Sequence, residues 1–158
     1  MFDGLKSIGE VDYEMSKIGS MGGGIGVALD NIRPRGAKIN NSAKVSEGVG
    51  FCLHKFNNTG EHIGQGNRKM AIMVMLNCNH PDIYEFLHIK ENNEKLSAMN
   101  ISIKMTDEFM EAVRDNKPYE LYFKVEATGE EIRRTINARD FFNEFCQVNV
   151  DYGDPGIC

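Results

Sequence analysis

The chain has 158 residues, of which 41% are hydrophobic and 26% are charged, so it can bury the core of one globular domain. Its net charge of −5 excludes general nucleic-acid binding, because that activity requires a face rich in Lys and Arg. No stretch approaches the roughly 20 apolar residues that span a bilayer, and the N-terminus lacks the apolar core of a signal peptide. We therefore expect a cytoplasmic protein that binds neither nucleic acid nor membranes.

The first part of the chain is predicted to alternate between helix and strand. Apolar residues at helical spacing predict a helix over residues 4–19, which ends in the glycines of residues 19–24. A strand is predicted to begin at residues 27–29. A second helix is predicted over residues 45–57, and the polar sequence at residues 57–60 is expected to break it.

The middle of the chain contains the strongest strand signal. Residues 64–69 are predicted to form a flexible polar loop, and residues 70–76 form an unbroken apolar run that is typical of a strand buried on both faces. Residues 81–89 predict a helix with proline and aspartate in its first turn, ending at the polar residues 91–94. Residues 100–105 predict a further strand.

The last part of the chain predicts two more helices and a strand. Thr106 is the expected N-cap of a helix that ends in a turn at residues 116–118. The inward-facing residues expected on this helix are Phe109, Met110 and Val113. A strand is predicted over residues 119–125 and a final helix over residues 138–149. Alternating helices and strands of these lengths predict an α/β fold.

One segment, residues 22–39, combines a glycine-lined backbone with three cations, Arg33, Arg35 and Lys38. Glycines expose backbone N–H groups, and Arg and Lys donate charge-assisted hydrogen bonds, so the segment could bind a phosphate. It matches neither the Walker loop nor the Rossmann fingerprint. The alternative is a structural glycine turn before a strand, followed by a solvated basic loop.

The four cysteines, Cys52, Cys78, Cys146 and Cys158, are spaced without a CxxC pair, which favours reduced thiols. Cys52 and Cys146 fall on predicted helices, where we expect buried cysteines that act as small hydrophobic residues. Cys78 and His80 could supply two zinc ligands, but one pair closes no tetrahedral site, so no metal site is predicted. His80 is expected instead to help start the helix that follows it.

Four blocks in order carry a resemblance to a known family: GGGIGVALDNIRPRGAKI, GQGNRKMAIMVMLNCNHPDIYEFLHIK, NISIKMTDEFMEAV and GDPGI. The chain resembles the large catalytic subunit of ribonucleotide reductase, and most of all its adenosylcobalamin-dependent or clostridial-type members. The match covers nearly the whole chain but only an early part of the family's ten-stranded α/β barrel. The resemblance therefore implies a partial barrel, in a single fragment that carries effector-specificity loops and part of the substrate floor.

The resemblance implies an allosteric site for a dNTP or ATP effector. Asp3, followed by Leu5, stands where the family's aspartate binds the effector's deoxyribose. The family's first specificity loop falls here on residues that include Arg33, Lys38 and Ile39, and Arg35 is a weaker candidate for a phosphate contact. Asp3 could also be the N-cap of the first helix, and the two roles are compatible.

The resemblance also implies contacts with a ribonucleotide substrate. Gly23 and Gly24 match the stretch that lies against the substrate, and Gln65 and Arg68 stand on the second specificity loop, which relays effector identity. This loop departs from the family pattern in its glycines and in its apparent length, so the effector-to-substrate rules could differ. Whether the substrate is a diphosphate or a triphosphate stays open.

Catalysis in the family needs groups that the resemblance locates outside these residues. The family uses a radical cysteine in an Asn-x-Cys-x-Glu context and a separate redox-active cysteine pair. Cys158 has no such flanking residues, so no catalytic residue is assigned and the chain alone is expected to be inactive. The radical would come from adenosylcobalamin or from a separate metal-containing subunit. The implied partners are the remaining segments of the subunit and a second copy in a homodimer.

Three functions therefore compete. The first is part of a reductase catalytic subunit, the second is a non-catalytic dNTP or ATP-binding regulatory module, and the third is an unrelated α/β protein with structural glycine and basic loops. A partial barrel leaves strand edges unpaired, so we expect poor solubility or partner-dependent folding of the isolated chain.

Overall fold

The structure is a computed structural model that describes residues 3–39, 45–65, 68–91 and 96–158. The helices in these ranges are α1 (Leu5–Ser20), α2 (Val49–His62), α3 (Ile83–His88), α4 (Asp107–Asp115) and α5 (Ala138–Tyr152). The strands are β1 (Gly24–Ala28), β2 (Gly64–Gln65), β3 (Arg68–Lys69), β4 (Ala71–Asn77), β5 (Met99–Lys104), β6 (Pro118–Lys124), β7 (Glu131–Asn137) and β8 (Gly156–Ile157).

Four parallel strands form the central sheet, in the order β1-β4-β5-β8. The register aligns Gly24 with Ala71 and Ile72 with Met99, so the strands begin at one edge of the sheet and end at the other. The α/β class with a parallel sheet is confirmed. Within the described residues the sheet is open, with β1 and β8 at its edges, and it does not close into a barrel.

Strand β4 is buried on one face only, which corrects the prediction of a strand buried on both faces. Ile72, Val74 and Leu76 face the core, whereas Met73 on the opposite face is 37% exposed. Side chains alternate between the two faces of a strand, and the core of the described residues is packed against only one of them. The continuous apolar run concealed this difference, because methionine is apolar on either face.

Helix α2 begins and ends later than predicted. Gly48 precedes it with φ +73°, a left-handed conformation that favours glycine. The expected break at residues 57–60 does not occur, because the helix continues to His62. Gly60 lies so close to β4 that a Cβ there would come within 2.6 Å of the Ile72 side chain, so this glycine allows close packing within the helix.

Two antiparallel strand pairs differ from the predictions for their segments. Residues 64–69 were expected to be a loop, but β2 and β3 pair antiparallel in this segment. Strand β7 was not predicted at all, and it pairs with β6 along seven residues. Its sequence, EIRRTIN, is largely exposed and polar, so it lacked the apolar alternation by which a strand is recognised.

The remaining predictions of the C-terminal part are mostly confirmed. The Thr106 side chain accepts a hydrogen bond from the Phe109 N–H and caps α4, as expected. Phe109 is buried, but Met110 is 39% exposed, because it lies on the outer face of α4. Helix α5 extends to Tyr152, three residues beyond the predicted end. None of the helices in the described residues is both long enough and apolar enough to cross a membrane.

Candidate functional site

A cavity of about 560 Å³ lies beside the N-terminus of α1, at the carboxyl end of β1. Four of the five effector candidates line it: Asp3, Leu5, Arg33 and Ile39. Much of the remaining wall is apolar and includes Ile8, Ile32, Val45 and Phe51. The volume lies within the range of small-molecule sites, and an apolar wall with a few charged groups is the usual composition of such sites.

The main polar feature of this cavity is an ion pair between Asp3 and Arg33. The Arg33 Nε–H donates to Asp3 Oδ2, and its Nη1–H donates to the Lys38 carbonyl at 2.9 Å. The side chains are 12% exposed for Arg33 and 23% exposed for Asp3, so solvent screens the pair only partly. The sequence predictions that placed these two residues together are consistent with this geometry.

The alternative role of Asp3 as an N-cap is wrong. The N-cap of α1 is Gly4, and no side chain caps the helix. The Asp3 carboxylate contacts Arg33 instead.

Lys38, the fifth effector candidate, is exposed and is not among the residues that line the cavity. Its backbone is nevertheless held on both sides. Its carbonyl accepts from Arg33, and its N–H donates to the Glu130 Oε2 at 3.0 Å. The backbone of Lys38 thus links Arg33, which lines the cavity, to Glu130.

Arg35 faces away from the cavity, although it is only two residues from Arg33. Its guanidinium makes two hydrogen bonds to the Glu85 carboxylate of α3, at 2.9 and 2.6 Å. The hydrogen bond to Glu85 and the charge of Glu85 raise the pKa of Arg35. Arg35 therefore anchors the loop to α3, and Arg33 is the arginine that faces the cavity.

His80 and Asp82, which precede α3, also hold the loop of residues 33–39. The buried Asp82 carboxylate accepts from the Arg35 N–H at 2.9 and 3.1 Å and from the Val49 N–H at 3.2 Å. The His80 Nδ1 accepts from the Asp82 N–H at 3.1 Å, and its Nε2–H donates to the Ile32 carbonyl at 2.8 Å. Burial lowers the pKa of His80, so the imidazole is neutral.

The sequence predicted His80 at the start of α3, but it did not predict the contacts that His80 and Asp82 make with the loop of residues 33–39. The signal available was a histidine and an aspartate on either side of a proline, directly after a buried strand. Such residues can reach the loop after a neighbouring parallel strand, because the carboxyl ends of parallel strands lie at one edge of the sheet.

Cys52 lies at the floor of the cavity and is fully buried. Burial, together with the charge of Asp3, raises the pKa of its thiol to about 12. The thiol is therefore neutral and unreactive, because the thiolate is the nucleophilic form. The expectation of a buried small hydrophobic residue is confirmed for Cys52.

A second, more polar cavity of about 690 Å³ lies on the other side of the Asp3–Arg33 pair. Asp3, Arg33 and Ala127 line both cavities, so the ion pair forms part of the wall between them. The second cavity also contains Asp30, which pairs with Lys104 and accepts from a backbone N–H of β4.

The substrate candidates lie at the other end of β1. A Cβ on Gly23 would come within 2.7 Å of the Ile18 side chain, and one on Gly24 within 3.1 Å of the Ala71 carbonyl. Internal packing therefore explains why both residues are glycine. Gln65 and Arg68 are paired across the β2–β3 hairpin, and their side chains lie outside the described part of the chain.

Cys146 and His88 belong to neither the effector candidates nor the substrate candidates. Cys146 is exposed, which corrects the expectation of a buried thiol, because it lies on the outer face of α5. His88 contacts Glu91 at 2.6 Å and Glu144 at 2.7 Å. In the described residues, no three His, Cys, Asp or Glu side chains are arranged to hold a metal ion.

Comparison with known proteins identifies the class of protein. A family model described as "Ribonucleotide reductase, barrel domain" matches residues 1–158. The chain is 35% identical over 133 residues to the ribonucleoside-diphosphate reductase large subunit of Arabidopsis thaliana, covering 80% of this chain and 16% of that protein. The chain therefore belongs to the ribonucleotide reductase barrel-domain family.

Two further relatives carry a cofactor in their names. The vitamin B12-dependent ribonucleoside-diphosphate reductase of Thermoplasma acidophilum is 31% identical over 157 residues, covering 98% of this chain and 20% of that protein. The vitamin B12-dependent enzyme of Mycobacterium tuberculosis (strain CDC 1551 / Oshkosh) is 29% identical over 157 residues, covering 98% of this chain and 22% of that protein. The chain thus spans about a fifth of the length of these relatives.

Proposed function

We propose that the chain is the part of a ribonucleotide reductase catalytic subunit that binds the allosteric effector and contributes to the substrate floor. The protein that contains it would reduce ribonucleotides to deoxyribonucleotides by thiyl-radical chemistry under dNTP control. The observation that carries this proposal is the Asp3–Arg33 pair in a largely apolar cavity, at positions that the family resemblance assigns to the effector.

The cavity has the groups that a deoxynucleotide needs. A carboxylate offers two oxygens, so Asp3 can keep its contact with Arg33 and also accept a hydrogen bond from a sugar hydroxyl. Arg33 uses two of its five N–H donors in the contacts described above, and a guanidinium is well suited to a phosphate. The apolar wall can pack against a base or a sugar face.

The effector and substrate candidates are connected by two continuous elements. Helix α1 and strand β1 both run between the end that holds Asp3 and Arg33 and the end that holds Gly23 and Gly24. The 16 residues of α1 span roughly 24 Å at the rise of an α-helix. We propose that effector identity is relayed over this distance to Gln65 and Arg68, which the family resemblance assigns to the second specificity loop.

Adenosylcobalamin supplies an organic radical when it is bound to an enzyme, and the names of two relatives support this radical source over a metal-containing subunit. Each of the two cavities described above, of about 560 and 690 Å³, is within the range of drug-sized ligands and is too small for a cobalamin. Neither cavity fits this cofactor, and we assign none of the residues that line them to it.

The remaining parts of the proposal concern the assembly. We propose that this segment closes into a ten-stranded barrel with the rest of the subunit, that the subunit forms a homodimer, and that it works in the cytoplasm. The parallel sheet with open edges at β1 and β8 supports the first of these points, because further strands can pair there.

Titration with deoxynucleoside triphosphates and ATP tests the effector site. Arg33→Ala should weaken binding by about tenfold or more, because it removes a charge-assisted phosphate contact. Arg35→Ala is the matched control. It removes the same charge at a position two residues further along the chain, where the side chain pairs with Glu85. Its affinity should stay within about threefold of the unmodified protein. Equal losses in both variants, or saturable binding that neither variant changes, would contradict the proposed site.

A further inference from the structure

The β6–β7 hairpin makes a specific contact with the proposed phosphate-binding loop. The Glu130 carboxylate, next to the start of β7, accepts a hydrogen bond from the Lys38 N–H at 3.0 Å. The two residues are 92 positions apart in the sequence. Their contact therefore depends on how the hairpin folds over the carboxyl end of the sheet.

The connection between β6 and β7 has a defined turn that presents this carboxylate. The Val125 N–H donates to the Glu130 carbonyl at 2.8 Å, and the Gly129 N–H donates to the Val125 carbonyl at 2.8 Å. Gly129 has φ +69°, which allows the tight turn. Ala127, in the same turn, lines the proposed effector cavity. The turn is therefore both a wall of the cavity and the support of Glu130.

The bond partner of Glu130 lies next to the proposed phosphate ligand. The Lys38 carbonyl accepts from the Arg33 guanidinium, so one hydrogen bond joins Arg33 to the residue that Glu130 holds. A backbone N–H in a loop that also carries an arginine and a lysine is a typical anion-binding group. In this structure a carboxylate of the chain itself takes that N–H.

We propose that Glu130 is an intramolecular anion that holds the loop in the absence of effector and is displaced by the effector's phosphates. The inference rests on the proposed function, because it concerns the same site. A phosphate oxygen would compete with the Glu130 carboxylate for the Lys38 N–H, and the two negative charges would repel each other. Glu130 would thus lower the affinity for polyphosphates and would have no effect on a ligand without phosphate.

Two substitutions separate competition from simple support of the loop. Glu130→Gln removes the charge and keeps an oxygen that can accept from Lys38, whereas Glu130→Ala removes both. Both should bind dATP about two- to fivefold more tightly, the range expected for the loss of one partly exposed charge interaction. Neither should change the affinity for deoxyadenosine. Glu126→Gln is the matched control, because Glu126 lies in the same turn and lines the neighbouring cavity.

The outcomes test the role of Glu130 separately from the proposed function. Unchanged or weaker dATP binding by Glu130→Ala, in a variant with an unchanged melting temperature, overturns it, as does an equal gain in Glu126→Gln. If the unmodified protein binds no dNTP, the proposed function fails and inorganic tripolyphosphate serves as the probe. Tighter tripolyphosphate binding by both Glu130 variants then supports the intramolecular anion. The absence of any gain then rejects it.

Discussion

At the two ends of β1, the chain contacts its neighbouring elements in different ways. At the carboxyl end, carboxylates from other parts of the chain hold the loop that follows. Asp3 and Glu85 pair with arginine side chains, and Asp82 accepts from the Arg35 backbone N–H. At the amino end, Gly23 and Gly24 bring the backbone against its neighbours without any side chain. The first end can therefore be probed by changing charges and hydrogen bonds, and the second only by changing volume.

The largest effect is expected at the carboxyl end, from Asp82→Ala. This substitution leaves the part-buried N–H of Arg35 and the buried N–H of Val49 without their acceptor. The free energy of unfolding should fall by about 2–4 kcal/mol, because hydrogen bonds to a buried charged group are costly to lose. Urea denaturation measures the change. Asp82→Asn, which keeps one oxygen, should cost less, and equal costs would show that the charge and its second oxygen are unimportant.

A smaller effect is expected at the amino end, from Gly24→Ala. The added Cβ would lie 3.1 Å from the Ala71 carbonyl, and backbone on β4 must shift to accept it. We expect a loss of about 1–2 kcal/mol in the free energy of unfolding, as is usual for overpacking. Gly26→Ala is the control, because its Cβ would meet only the Met75 Cε at an ordinary 3.8 Å. If both substitutions cost the same, steric fit does not distinguish Gly24.

A third measurement asks how much the exposed anchor of the loop contributes. A double-mutant cycle on Arg35→Ala and Glu85→Ala should give a coupling free energy of about 0.5–1 kcal/mol, because the Arg35 side chain is 58% exposed. The coupling should decrease at high salt, since solvent screens exposed charges. A coupling that salt does not change would mean that packing, and not charge, links these two residues.

The smallest effect is expected far from both ends, at His88. Burial lowers its pKa, but the hydrogen bonds and charges of Glu91 and Glu144 outweigh burial, so the pKa is raised overall. The stabilisation is therefore fully present below the unfolded-state pKa and is lost as pH rises through the higher folded-state pKa. The stability difference between the unmodified protein and His88→Gln should be larger near about pH 5.5 than near about pH 8.5, by less than about 1 kcal/mol. A larger difference at the higher pH would contradict this assignment.

Local sequence patterns were sufficient where the structure follows from neighbouring residues. The N-cap at Thr106 and the buried face of α4 at Phe109 depend on a few adjacent positions, and both predictions are confirmed. The same reasoning failed at Gly60 and in β7. Gly60 is helical because β4 packs against it, and β7 is a strand because β6 pairs with it, so both depend on distant residues.

The candidate site shows the same division. The family resemblance placed Asp3, Arg33 and Ile39 at one site, and all three line one cavity. It ranked Arg35 below Arg33 as a phosphate contact, but it did not predict that Arg35 pairs with Glu85. The neighbours of the two arginines in sequence are similar, and only the position of α3 makes Glu85 available to Arg35.

The amino-acid sequence by itself determined the α/β class, most of the helices and strands, and the residues that mark the family, because these depend on short-range periodicity and on motifs. The tertiary structure decided which charges meet. Asp3 pairs with Arg33 across 30 positions, and Glu130 reaches Lys38 across 92. Such contacts arise when the packing of the sheet, helices and hairpin brings distant residues together, and no local propensity encodes that geometry.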